Sequence, residues 1–161
     1  MTIVVMGTTG AGKTTVGKLL AARLGWEFLD ADDLHLAASV AKMRQGIALD
    51  DADREPWLDA VRAEIQSRVA ANRSLVVACS ALKEAYRRKL LVDADVKVVY
   101  LRGTYDEIRK HLQKRSGHFA GESLLASQFA ALEEPADALW VQATEAPDEI
   151  VRRIVTGFGI A

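Results

Sequence analysis

The sequence predicts an α/β fold of three layers, with a parallel sheet covered by helices on both faces. Three observations carry that expectation. Short apolar runs of strand length alternate along the chain with segments of helical periodicity. The strand runs are nearly continuous in apolar residues, as strands buried on both faces are. A glycine loop, Gly7-Thr8-Thr9-Gly10-Ala11-Gly12-Lys13-Thr14, joins the first strand to the first helix, where sheets of this class take phosphate groups.

Taken in order, Thr2 to Met6 forms the first strand. The helix after the glycine loop sets Val16, Leu19, Leu20 and Leu24 on one face. Trp26 to Leu29 is the second strand. His35 to Pro56 interrupts the alternation with Gly46 and many carboxylates, and a helix with Leu58, Val61, Ile65 and Val69 follows, with Pro56 near its start. Leu75 to Cys79 and Val96 to Leu101 give the third and fourth strands. Tyr105, Ile108 and Leu112 mark the next helix, and Lys114 to Gly121 is a short basic segment suited to cover a phosphate site. Ala138 to Val141 is the last strand, and Ile150, Ile154 and Phe158, with Val151 and Val155 beside them, mark the last helix. No repeat, low-complexity tract or linker divides the 161 residues, which read as one domain, 1–161, with a lid at about 114–122.

Composition narrows the partners. Half the residues are apolar and the net charge is −1, so there is no basic footprint for nucleic acid or for a membrane surface. No apolar run approaches the ~20 residues of a membrane span, and Met1 leads straight into the first strand. The expected compartment is the cytoplasm, and the expected partner a small soluble molecule. The single cysteine, Cys79, excludes an intrachain disulfide and reads as a buried structural thiol at a strand end.

The glycine loop states the chemistry most directly. Its glycines let backbone N–H groups curl around a phosphate, Lys13 reaches the β and γ oxygens, and the Thr14 hydroxyl can ligate Mg²⁺. The implied ligand is a nucleoside triphosphate with magnesium, held by Gly7 to Thr15. In such sheets ligands bind beyond the carboxyl ends of the strands. That rule selects Asp30 to His35, Ser80 to Lys83, Arg102 onward and Gln142 to Pro147 as well.

Asp30-Ala31-Asp32-Asp33-Leu34-His35 follows the second strand. A carboxylate there can hold magnesium-bound water or accept the proton of an attacking hydroxyl. Asp33 and Asp51 read instead as acidic residues at helix starts. Arg54 offers the fork geometry that suits a substrate carboxylate.

Together these residues spell a family pattern. The loop, Asp30-x-Asp32-x-x-His35, Lys42-Met43-x-x-Gly46, Asp51-x-Asp53-Arg54-x-Pro56-Trp57-Leu58, Ala78-Cys79-Ser80-Ala81-Leu82-Lys83 with Tyr86-Arg87, Gly117-His118-Phe119, and Ser127-Gln128-Phe129 with Leu132-Glu133 and Pro135 resemble the gluconate kinases (gluconokinases). These are small P-loop kinases similar in architecture to shikimate and adenylate kinases. The resemblance runs from Met1 to about Pro135. It implies the P-loop NTPase fold, with a five-stranded parallel sheet of order 2-3-1-4-5 and a closing lid. It also implies ATP-dependent phosphorylation of D-gluconate to 6-phosphogluconate, and a homodimer.

Carried over residue by residue, the loop amides of Gly7 to Thr15 and Lys13 bind phosphates, while Thr14 and Asp30 hold Mg²⁺. Asp32 accepts the proton of the gluconate primary hydroxyl. His35, Arg54, Ser80 and Lys83 line the acid pocket with Asp32, Arg54 facing the carboxylate. Arg115, with Lys114, comes down onto the transferred phosphoryl group. The chain departs from the family where Ser39 and Ala48 replace Asn and Pro, and where His111 replaces an Arg beside the nucleotide. Ala120-Gly121 replaces a bulkier pair after Phe119.

The remaining residues have plainer readings. His118 reads as lid packing, Arg87-Arg88-Lys89 as the solvated face of a helix, and Trp26, Trp57 and Trp140 as packing. Two alternatives stand beside gluconate phosphorylation: a related kinase acting on shikimate, a nucleoside monophosphate or another sugar acid, and a nucleotide-dependent regulator without an acceptor. The guanine-reading motifs of GTPase switches are absent from the sequence.

Overall fold

The computed structural model describes residues 1–116 and 121–160. The expected lid therefore lies in part outside the described residues, as do Gly117, His118, Phe119 and Ala120. Five strands, β1 (Thr2–Met6), β2 (Glu27–Asp30), β3 (Leu75–Ala78), β4 (Val96–Arg102) and β5 (Leu139–Gln142), form one parallel sheet of order β2-β3-β1-β4-β5. This is the order expected from the resemblance. The helices are α1 (Lys13–Leu24), α2 (Ala37–Arg44), α3 (Asp51–Ala70), α4 (Glu84–Leu90), α5 (Tyr105–Ser116), α6 (Glu122–Ala131) and α7 (Pro147–Gly157). A 3₁₀ turn, Ala31–Leu34, follows β2 directly.

Strand alternation explains the two cores. Successive side chains of β1 point to opposite faces, so Ile3 and Val5 join Leu20, Ile108, Leu125 and Ile154 on one face, while Val4 and Met6 join Trp57, Val61, Ile65 and Tyr100 on the other. Ile3, Leu20, Ile65 and Trp57 are all but inaccessible to solvent. Truncating Ile65 to alanine should cost ~2–5 kcal/mol, the range for large-to-small changes in a packed core. No helix of the described residues is long and apolar enough to cross a membrane.

Several boundaries and faces differ from the sequence expectation. In α1 the buried face is Val16, Gly17, Leu20 and Ala21, and Leu19 is exposed. The reason is a close approach at Gly17, where a Cβ would come within 2.7 Å of the Phe28 ring, so the helix turns its smallest residue to β2. β2 begins one residue later than expected because Trp26 N–H still bonds the Ala21 carbonyl to close α1. Asp30 is thus the last residue of the strand itself, paired in register with Ala78. α3 begins at Asp51, five residues before Pro56, because Asp50 and Asp53 form a reciprocal capping box.

Candidate active site

Strand β1 lies between β3 and β4, so the chain leaves it in the crevice where the connections diverge to either side. The glycine loop fills that point. Gly10 adopts φ +78°, and a Cβ there would fall 2.4 Å from Leu112 Cγ, so the loop passes beneath α5 only without a side chain. His111 Nδ1 lies 2.9 Å from the Gly10 carbonyl. No side chain caps α1 at Gly12, which leaves the N–H groups of its first turn for an anion.

Lys13 stretches back along the loop and donates to the Thr8 carbonyl at 2.9 Å. Burial pushes its pKa below the ordinary lysine value, while the charges of Asp32 and Asp30 nearby pull it back up. No carboxylate of the described residues ion-pairs with it. A desolvated cation without a paired carboxylate is suited to an incoming phosphate. Ala11, Gly12, Thr15, His111, Lys114 and Arg115 border a cavity of about 420 Å³, which continues to Ala143 and Pro147 after β5. Of the residues expected at the nucleotide, Ala11, Gly12, Thr15 and His111 border this cavity, and Arg115, expected on the transferred phosphoryl group, borders it too.

The carboxylates stand beside the loop. Thr14 Oγ1 donates to Asp30 Oδ2 at 2.9 Å, and Asp32 N–H donates to Asp30 Oδ1 at 3.0 Å. Asp30 therefore ties helix α1 to the 3₁₀ turn that presents Asp32. Mg²⁺ asks for oxygen ligands and commonly keeps water and substrate phosphate oxygens in its shell, and the Thr14 hydroxyl with the Asp30 carboxylate fits that requirement. Among the described residues no group of three or more His, Cys, Asp or Glu could enclose a metal without such help.

Asp32 is open to the cleft, its side chain 66% exposed, and His35 Nε2 lies 3.9 Å away. The His35 side chain is buried, stacked on Trp57 at 4.4 Å between ring centroids, and its Nδ1 has no hydrogen-bond partner among the described residues. Burial holds its pKa below the ordinary histidine value; Asp32 opposes the shift and Arg54 adds to it. The ring is neutral at pH 7. Trp57 Nε1 donates to the Ala31 carbonyl at 2.6 Å. Trp57 is thus more than packing, because it fixes the turn that carries Asp32 and His35.

Arg54, from the second turn of α3, is 8% exposed. Its guanidinium lies 5.6 Å from the Tyr86 ring centre and forms no ion pair with the described residues. Ser80 is buried just beyond β3. Lys83 donates to Asp51 at 3.0 Å, and Tyr86 Oη donates to the same carboxylate. These two bonds hold Asp51 below the usual carboxylate range.

One sequence reading, that of Arg87, needs correction here. Asp51 is the first residue of α3, as expected of an acidic helix start; Asp50 caps the helix, and Asp51 also holds Lys83 and Tyr86. Arg87 is buried, donating to the Ala81 and Glu133 carbonyls at 2.8 Å each, so only Arg88 and Lys89 form a solvated face. Cys79 is buried as expected, and burial pushes its thiol up to about 12, which leaves it inert. Lys42 binds both oxygens of Asp53 at 3.0 and 2.9 Å, joining α2 to α3.

The sequence reading gave Tyr86 and Gln128 no part in the site. Gln128 Oε1 accepts the Thr9 N–H at 2.6 Å. Its place in the motif Ser127-Gln128-Phe129 was the one available signal, and no spacing rule links α6 to the loop.

Known proteins share this fold and much of this sequence. The family model described as Shikimate kinase matches residues 9–157. A gluconokinase of Gluconobacter oxydans is 42% identical over 160 residues, covering 97% of this chain and 90% of that protein. The thermosensitive gluconokinase of Escherichia coli is 43% identical over 133 residues, 82% of this chain and 71% of that one. The crystal structure of a gluconokinase from Sinorhizobium meliloti superposes with a TM-score of 0.89 at 38% identity, covering 98% of this chain and 91% of the other. With a phosphate loop, an aspartate turn beside it and relatives this similar along nearly its whole length, the chain belongs to the gluconokinase family, nucleotide-using kinases of the shikimate kinase type.

Proposed function

We propose that the protein transfers the γ-phosphoryl group of ATP to the primary hydroxyl of D-gluconate, giving 6-phosphogluconate and ADP. The observation that carries this reading is the buried Arg54 guanidinium. It has no carboxylate partner among the described residues, and it lies close enough to His35 to lower that group's basicity. A buried, uncompensated guanidinium is costly unless a ligand supplies the opposite charge, and a sugar acid does so in bidentate geometry.

In this reading the polyphosphate lies in the loop Gly7 to Thr15, on the free N–H groups of the first turn of α1 and on Lys13. The base side of the nucleotide takes the cavity beside His111. Gluconate lies between Asp32, His35, Arg54, Ser80 and Lys83. Asp32 accepts the hydroxyl proton as the new O–P bond forms and the bond to the β–γ bridging oxygen breaks, with ADP leaving. Neutral His35, wedged against Trp57, sets the position of that carboxylate. Lys13, with Arg115 and Lys114, balances charge on the transferred group. Mg²⁺, held by Thr14 and Asp30, would neutralise phosphate charge. A homodimer completes the proposal and is read by light scattering.

The test is ADP release with Mg·ATP against gluconate, shikimate, other sugar acids and nucleoside monophosphates. Strong stimulation by gluconate alone is expected. A response confined to another acid would move the substrate, and silence toward every acceptor would favour a regulator.

A further inference from the structure

One family motif, Ser127-Gln128-Phe129, has no part in the nucleotide or acid reading. Its helix, α6, reaches the phosphate loop, α5 and the connection between α2 and α3. Leu125 is fully buried in the core below the phosphate loop, Phe129 packs edge-on against Tyr105 at 5.6 Å, and Ser123 Oγ donates to the Gly46 carbonyl at 3.4 Å, in the connection between α2 and α3. From this anchored helix Gln128 takes the Thr9 N–H at 2.6 Å, across 119 residues of sequence.

The residue type is informative. A loop N–H without a backbone partner needs an acceptor. Glutamate would supply one, but its charge would repel a polyphosphate in the adjoining cradle. Glutamine accepts the same bond while neutral, and its own N–H₂, unpartnered among the described residues, is left to donate to a phosphoryl oxygen.

We propose that Gln128 is a positioning residue for phosphoryl transfer. It fixes Thr9 at the mouth of the phosphate loop and, through α6, keeps that loop in register with the acceptor side. The proposal rests on the gluconate kinase reading. Occupation of the acceptor pocket then bears on the loop through a helix that neither substrate needs to touch along most of its length.

The test compares Gln128→Ala, Gln128→Asn and Gln128→Glu with the wild type. The readouts are kcat, the ratio of ADP to phosphogluconate formed, the calorimetric Kd of a non-hydrolysable Mg·ATP analogue, and Tm. Gln128→Ala is expected to lose about 10- to 100-fold in kcat, the scale of a small misplacement of reacting groups, and to make ADP in excess of phosphogluconate with little change in Tm. Gln128→Asn, one methylene short, should lie between. Gln128→Glu keeps the acceptor but should weaken the analogue by roughly tenfold through charge repulsion. Variants that only lower Tm and keep a product ratio of one, or that match the wild type throughout, overturn the proposal. If the wild type makes no phosphogluconate, the functional reading has failed, and the Kd contrast between the Ala and Glu variants alone decides the role of Gln128.

Discussion

The phosphate loop draws its groups from one run of consecutive residues, whereas the acceptor side gathers Asp32, Arg54, Ser80 and Lys83 from the segments after β2, in α3 and after β3. The two regions also treat charge differently. Lys13 forms no ion pair with a described carboxylate and is desolvated, and the start of α1 is uncapped. On the acceptor side Lys83 is tied to Asp51 and Lys42 to Asp53, and Arg54 alone of these cations has no carboxylate partner among the described residues. A preformed cradle for a highly charged donor needs open cations. A pocket for a small monoanion needs one, with the rest of its charges neutralised so that they hold shape without attracting competitors.

The largest effect should fall on the cradle. Lys13→Ala should reduce phosphoryl transfer on the order of 10³-fold or more, because a preorganised cation at the developing charge is lost. Near-normal turnover would break the assignment of the donor half. Asp32→Asn keeps the shape of the turn and removes the proton acceptor, so kcat should fall by about 10²-fold or more. An unchanged kcat would remove Asp32 from the chemistry.

Arg54→Ala sharpens the comparison from the other side. Loss of a charge-assisted hydrogen bond, about 1.5–3 kcal/mol, should raise KM for gluconate by roughly tenfold or more while KM for ATP stays put. An effect confined to ATP would place Arg54 in the wrong half. Trp57→Phe leaves the Ala31 carbonyl without its donor and His35 with a smaller stacking partner. About 1–3 kcal/mol of stability should go with it, measurable by urea titration, together with a several-fold loss in kcat. A variant equal to wild type in both would reduce Trp57 to packing.

How much of this was legible in the sequence follows from the same contrast. Gly7 to Thr14 could be read without the fold because one loop carries its own geometry, and the five strands could be read because burial on both faces leaves them apolar. The arrangement of Asp30 was half legible: its place at a strand end was visible, the two hydrogen bonds it accepts from the Thr14 hydroxyl and the Asp32 N–H were not. Arg87 was misread because a basic run on a short helix usually faces water, and only the fold brings the Ala81 and Glu133 carbonyls to it. The place of Asp51 at a helix start was legible, but its hold on Lys83 and Tyr86 was not, since those partners lie on α4 and just before it. Leu19 followed the helical period yet faces solvent, because Gly17 rotates α1 toward Phe28.

The smallest expected effect concerns pH. His35 is buried with its pKa below the unfolded value, so the unfolded chain binds the proton more readily and stability falls as pH drops through about 6.5. His35→Gln should flatten that limb of the stability profile in chemical denaturation between pH 5 and 7. An identical slope in both proteins would mean that His35 titrates alike folded and unfolded.

The most direct test of the account follows phosphorus NMR of the wild-type protein with Mg·ATP and D-gluconate. One phosphomonoester on the primary carbon, formed in step with ADP, is the predicted result. ADP with inorganic phosphate and no ester, at saturating gluconate, would contradict the claim that the two halves meet in transfer to a sugar acid.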